Sequence, residues 1–114
     1  MKLRMHPSMK EKKRYVTFSV ISEKKVGYGD VKGAITNSIL NWMGEKGISS
    51  SGFRIIRNLW DSQNQEGWLS CTPASVDDIR MSLALVHQIG DSRVIFRTLR
   101  VSGTIKSGKE KLGR

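Results

Sequence analysis

From residue 14 to residue 21 apolar and polar side chains alternate. Val16, Phe18 and Val20 stand on one side, Tyr15, Thr17 and Ser19 on the other. A period of two is a strand with one face on a core. From Asp30 the period changes. Val31, Ala34, Ile35, Ile39, Trp42 and Met43 recur at helical spacing, which predicts a helix from an Asp30 N-cap to about Lys46, closed by Gly47, with Trp42 in the inward stripe. Residues 53–60, carrying Ile55, Ile56 and Leu59, and residues 67–72 read as two strands joined by the polar turn 61–65. After Thr72-Pro73, the run Ser75-Val-Asp-Asp78 resembles a capping box opening a second helix to about Ile89, with Val76, Ile79, Leu83 and Val86 inward. Gly90-Asp91 then turns into a last strand over 93–101. The order β-α-β-β-α-β is the split βαβ, ferredoxin-like plan. It predicts an α+β fold, a four-stranded antiparallel sheet with both helices on one face and the other face open.

The chain has 114 residues, enough for one domain with a core of its own. Residues 1–13, with Pro7 and few apolar side chains, read as a flexible basic arm, 14–101 as the domain and 102–114 as a second basic tail or short helix. No apolar run approaches the ~20 residues of a membrane span, and the N-terminus has no apolar stretch of a signal peptide. One cysteine, Cys71, excludes an internal disulfide and a cysteine-built zinc site.

The net charge is +10, and its distribution changes the picture. Residues 1–14 hold six Lys/Arg against one Glu, and residues 93–114 hold seven against one Glu. The middle, 15–92, holds seven basic and eight acidic residues. A near-neutral body with two cationic ends is a footprint for a polyanion such as nucleic acid. The alternative is that basic ends only maintain solubility.

The last strand adds to this. Arg93, Arg97 and Arg100 are threaded among Val94, Ile95, Phe96, Leu99 and Val101. On a flat strand Arg97 and Arg100, three positions apart, point to opposite faces. Ser102-Gly103-Thr104 ends the strand. The next residues nearly spell a phosphate-binding loop, but Glu110 stands where a magnesium-holding Ser or Thr is needed, and no parallel sheet precedes it. Nucleotide hydrolysis is excluded. What remains is a tail of small residues with Lys106, Lys109 and Lys111, suited to touching phosphates.

Catalytic side chains are hard to assemble. Asp77 and Asp78 are adjacent, so on a helix they diverge by ~100° and cap rather than converge on a substrate. His87 reads as structural, and His6 in the arm is its sole companion. Gly27, Gly29 and Gly33 miss the spacing of a dinucleotide fingerprint by one position. The third strand lacks the stacking aromatics of an ordinary RNA-recognition motif; Trp68 alone could stack a base, with burial the competing reading.

The stretches Arg14-Tyr-Val-Thr-Phe-Ser-Val-Ile-Ser22, Ala34-Ile-Thr-Asn-Ser-Ile-Leu40, Arg80-Met-Ser-Leu-Ala-Leu-Val86 and, most specifically, Leu99-Arg-Val-Ser-Gly-Thr-Ile-Lys106 resemble the archaeal-type ribonuclease P protein component 2 family, whose eukaryotic counterpart is shared with ribonuclease MRP. The resemblance spans about residues 14–112. It implies an RNA-recognition-motif-like sandwich serving as a non-catalytic subunit of the ribonucleoprotein that removes 5′ leaders from precursor tRNA. The RNA subunit then performs the endonucleolytic cleavage with Mg2+, and this chain binds no cofactor. The implied partners are the ribonuclease P RNA, the barrel-type ribonuclease P protein component 3, and a second copy of the chain, giving a heterotetramer; precursor tRNA is met indirectly. The implied setting is the cytoplasm, and the compact length suits an archaeal member. On this reading the RNA-binding residues are Lys12, Lys13, Arg14, Arg97, Arg100, Ser102, Lys106, Lys109 and Lys111. Rival readings are a generic basic RNA-binding protein of ribosomal type, an acylphosphatase-like enzyme, and an oligomerisation module. The second lacks the phosphate-cradling Arg after the first strand, where the chain reads Ser22-Glu-Lys-Lys-Val-Gly27.

Overall fold

The computed structural model describes residues 12–111. The first strand, β1, runs Arg14–Ser22, and helix α1 spans Tyr28–Ser51. A two-residue strand β2, Arg54–Ile55, is followed by a 3-10 turn at Arg57–Leu59 and by β3, Glu66–Cys71. Helix α2, Val76–Leu85, leads to a second two-residue strand, β4, Gln88–Ile89. The long strand β5, Ser92–Ser102, and helix α3, Ile105–Lys111, complete the chain. The sheet is antiparallel in the order β2-β3-β1-β5-β4. Without β4 this is the ferredoxin-like order the element pattern predicts.

Alternation in β1 sets the core. Val16, Phe18 and Val20 face α1 and α2 and pack with Ile35, Ile39, Leu69, Ile79, Leu83, Val94 and Phe96. Phe18 and Phe96 rings meet at 5.8 Å between centroids. The helices lie side by side, tied where Ser38 Oγ donates to the Ser82 carbonyl at 2.6 Å.

Several local expectations are corrected. Helix α1 starts earlier than Asp30, because Gly27 serves as N-cap and the Val31 N–H returns to the Gly27 carbonyl at 3.0 Å. Asp30 lies in the first turn, where its charge still suits the dipole. The helix passes Gly47 and ends at Gly52, in the left-handed conformation at φ 62°. It breaks instead at Gly44, with φ 75° and ψ 175°, a region open in practice to glycine alone. Gly47 permits the kink, since a Cβ there would stand 2.6 Å from Met43 Cβ. Gly44→Ala is therefore expected to cost about 1–2 kcal/mol, read from the denaturant midpoint.

Trp42 does not join the core. It is 48% exposed, and its indole N–H donates to Asp78 Oδ1 at 3.1 Å, so it laps over the start of α2. The Ser75 side chain caps nothing in α2; it accepts from Thr72 Oγ1 at 2.9 Å, in a 3-10 turn, Pro73–Ser75, that leads into the helix. Helix α2 stops at Leu85 rather than Ile89, because Gln88 and Ile89 fold back on Arg93 and Ser92 around Gly90, at φ 58°. His87 is exposed beyond the helix end. Residues 53–60 form only the short β2 and the 3-10 turn.

The segment expected as a basic tail or short helix contains α3, which packs on β5 and β1. It lies across the sheet face opposite α1 and α2. A Cβ at Gly108 would meet Ser102 Oγ at 2.6 Å and the Trp68 ring at 2.7 Å, so α3 sits directly on both. Trp68 is accordingly 6% exposed and Thr17 1%. The open sheet face is half covered. The arm 1–13 lies almost wholly outside the described residues.

Cys71, paired with Arg14 across the sheet, is buried, and burial raises its thiol to about 11. Below the ordinary value of 9.0 both folded and unfolded chains keep the proton. Between 9.0 and about 11 only the unfolded chain gives it up, so stability should fall as pH rises through that window. Denaturant midpoints at pH 8 and pH 10 check the direction. At pH 8 a thiol reagent should label Cys71 only as fast as the chain opens.

Candidate nucleic-acid interface

Strand β5 carries an irregularity that decides where its arginines go. Phe18 of β1 pairs with Thr98, while the preceding Thr17 pairs with Arg100, so Leu99 is an extra residue in β5. A bulge of one residue reverses the alternation beyond it. Arg97 pairs with Ser19 and Arg100 with Thr17, and both β1 residues lie on the face away from α1 and α2. Arg97 and Arg100 therefore share one face, contrary to the flat-strand expectation. Arg93 and Ile95 precede them on the same face, and Ile95 pairs with Ile21. The bulge is held where Thr17 Oγ1 donates to the Arg100 carbonyl at 3.3 Å.

Among the described residues no strand pairs with the outer edge of β5 beyond Arg93, although the Val94 N–H still donates to the His87 carbonyl at 3.0 Å. Helix α2 runs along that free edge. Two clefts form between them. One, of ≈ 570 Å³, is lined by Asp77, Arg80, Met81, Ala84, Phe96, Arg97 and Thr98. The other, of ≈ 420 Å³, is lined by Arg80, Thr98, Leu99, Arg100 and Val101. Arg80 belongs to both, so three guanidiniums converge on the edge from two elements. All three are exposed, and among the described residues none forms an ion pair. Guanidiniums without ion pairs at an open strand edge present donors and few competing charges, which suits phosphate oxygens.

The other residues expected to touch RNA divide by position. Lys106 and Lys109 are exposed on α3, and Lys111 is its last residue. Arg14 is half-buried, its Nη1 donating to the Lys13 carbonyl at 3.2 Å and lying beside Gly103. It thus meets the turn before α3. Ser102 is buried, and its hydroxyl donates to the Thr104 carbonyl at 2.9 Å. It shapes the turn into α3 and offers nothing outward. Lys12 is exposed, and Lys13 faces the opposite, β2 edge of the sheet. Arg80, which the sequence pattern does not single out, joins Arg97 and Arg100 at this edge. It sits in a helix of mixed charge, and only the packing of α2 beside β5 brings it to the edge.

No acid, base and nucleophile converge anywhere among these residues. Among the described residues no three of His, Cys, Asp and Glu come together as metal ligands. No helix of the described residues is long and apolar enough to cross a membrane. Fold and surface thus define a class: a ferredoxin-like α/β domain whose free sheet edge and C-terminal helix carry the cations.

Comparison with known proteins narrows the class. The model of the Rpp14/Pop5 family matches residues 14–113, and the chain belongs to that family of ribonuclease P protein subunits. Curated relatives named ribonuclease P protein component 2 include one from Pyrococcus furiosus, 38% identical over 105 residues, covering 92% of this chain and 86% of the relative. The relative from Archaeoglobus fulgidus is 35% identical, with 92% of each chain covered. That from Methanosarcina mazei is 32% identical over 95% of this chain and 90% of its own. Among solved structures, a chain in the cryo-EM structure of yeast ribonuclease MRP matches with a TM-score of 0.64 at 12% identity, covering 90% of this chain and 92% of that one. At that identity the likeness speaks for the fold, and it supports the ferredoxin-like assignment.

Proposed function

We propose that this chain is a non-catalytic protein subunit of ribonuclease P that binds and stabilises the RNA subunit through the β5 edge and α3. The observation that carries the RNA contact is the bulge at Leu99, which places Arg97 and Arg100 together beside Arg80, free of ion pairs among the described residues. Family membership supplies the complex. Cleavage belongs to the RNA and its Mg2+; this chain supplies positioning and charge. Neutralising phosphates lets the RNA's catalytic domain fold at lower metal concentration, because protein cations replace part of the counterion atmosphere. The reading extends to pairing with a barrel-type protein, component 3, and to self-association of the pairs.

The test is reconstitution. The chain, its barrel-type partner and a ribonuclease P RNA are mixed, and 5′ cleavage of precursor tRNA is followed at limiting Mg2+. The expected result is correct cleavage at a lower Mg2+ midpoint than for RNA alone. An unchanged midpoint with both proteins folded and complexed overturns the reading.

A further inference from the structure

The opposite edge of the sheet carries a second cationic cleft. It has a volume of ≈ 680 Å³, and Lys13, Lys32, Arg54 and Arg57 line it together with Tyr15 and Tyr28. Among the described residues no carboxylate lines it. The four cations come from four places in the chain: the residue before β1, the second turn of α1, β2, and the 3-10 turn after β2. The strand β2 is only two residues long.

Its aromatic rings are held in place. Tyr15, Ser70 and Arg54 share the sheet face away from α1 and α2, because Tyr15 pairs with Ser70 and Arg54 pairs with the same residue from the other side. Tyr28 is fixed by Trp60, at 6.2 Å between centroids, and by the Arg57 guanidinium 5.5 Å over its ring. Tyr15 is half-buried and has no ring partner among the described residues.

We propose that this cleft binds a single strand of RNA, with Lys13, Lys32, Arg54 and Arg57 on phosphates and Tyr15 as the surface on which one base stacks. The inference rests on the RNA-binding function proposed above but adds a separate site. Cations alone would accept any polyanion. Half-buried tyrosines among them favour a ligand that alternates phosphates with flat rings. A duplex keeps its bases stacked inside and its major groove narrow, so a base can reach Tyr15 only from an unpaired strand. The two cationic edges are three strand spacings apart, about 14–15 Å, with α3 between them. One RNA can therefore touch both edges of the same domain, duplex or loop backbone at β5 and an unpaired strand at β2.

The experiment is fluorescence anisotropy on the full chain with a labelled twelve-uridine strand, repeated across salt concentrations and with a twelve-base-pair RNA duplex of mixed sequence. The triple variant Lys32→Gln, Arg54→Gln, Arg57→Gln is expected to bind the single strand at least tenfold more weakly. Its log–log salt slope should flatten by about 2, at ~0.7 for each phosphate no longer neutralised. Tyr15→Leu should weaken the single strand several-fold and leave the salt slope and duplex binding unchanged. Circular dichroism of each variant confirms folding. If the triple variant binds uridine strands as the parent does while Arg97→Gln with Arg100→Gln loses RNA, the β2 cleft is overturned and the RNA-binding function stands. If twelve-residue polyglutamate competes as well as the uridine strand, the stacking assignment is overturned. If the parent chain binds neither RNA, both the inference and the function beneath it fail.

Discussion

Arg97→Glu combined with Arg100→Glu is expected to weaken binding to ribonuclease P RNA by at least a hundredfold at moderate salt. A charge-assisted hydrogen bond contributes about 1.5–3 kcal/mol, roughly tenfold or more for each guanidinium removed, and each carboxylate adds repulsion against phosphate. Folding should hold. Both side chains are exposed, and among the described residues neither forms an ion pair, so reversal leaves no orphaned partner in the core. The new carboxylates also stand near Arg80, which they can pair with, removing it from the RNA as well. The salt dependence should flatten in step, by about 0.7–0.9 in slope for each phosphate that regains its counterions. The measurement is RNA affinity against salt, beside a thermal melt. Wild-type affinity in a folded variant would place the RNA elsewhere on the surface; a collapsed melt would make the two arginines structural.

The same two arginines mark the limit of what the sequence makes legible. The alternation of β1 and the stripe Val31, Ile35, Ile39 survive intact, because period and burial report the same physics. The ferredoxin-like order followed from them. Trp42 sits on the same helical stripe and is nonetheless 48% exposed, its indole N–H reaching Asp78 in the first turn of α2. Periodicity describes one helix; what faces the stripe is decided by the length of its neighbour. The bulge at Leu99 lies further beyond reach. Counting along β5 put Arg97 and Arg100 on opposite faces, and one inserted residue reversed the answer. Nothing in Arg97-Thr-Leu-Arg100 marks the insertion, since it is a matter of register against β1.

Charge behaved in the same way. The middle of the chain nets to −1 by composition and so looked inert. Yet of its seven Lys/Arg residues, Lys32, Arg54 and Arg57 gather in one cleft and Arg80 in another. Its acidic residues lie mostly elsewhere, several of them engaged locally: Asp61 in a turn with Gln63 and Asn64, Asp78 with Trp42, Glu23 with the Arg93 amide. A sum over a window discards this separation, and potential at a surface depends on it.

Gly108→Leu is the second large effect expected. Even a Cβ at this position would stand 2.6 Å from Ser102 Oγ and 2.7 Å from the Trp68 ring, and a leucine has three further carbons to place. The sheet beneath cannot yield, because Trp68 and Thr17 are packed in its middle strands and paired to each other. Helix α3 must therefore lift away. Its seven residues are too few to remain helical without that support, since isolated helices need about 12–15 residues in water. The cost is about 2–3 kcal/mol, of the size of an overpacked core position. It should fall on α3 first and leave the sheet and its two large helices folded. Trp68 then enters water, so its fluorescence should shift to the red and become accessible to a soluble quencher. RNA affinity should fall as well, although no cation has been removed. Lys106 and Lys109 would still be present but on an unfixed segment, and ordering that segment on RNA costs about 1–2 kcal/mol for each residue held. Gly108→Ala meets the same Cβ neighbours with less bulk, so it should give a smaller shift of both readouts in the same direction. If Gly108→Leu exposes Trp68 and leaves RNA affinity untouched, α3 only covers the sheet and the β5 edge alone meets the RNA.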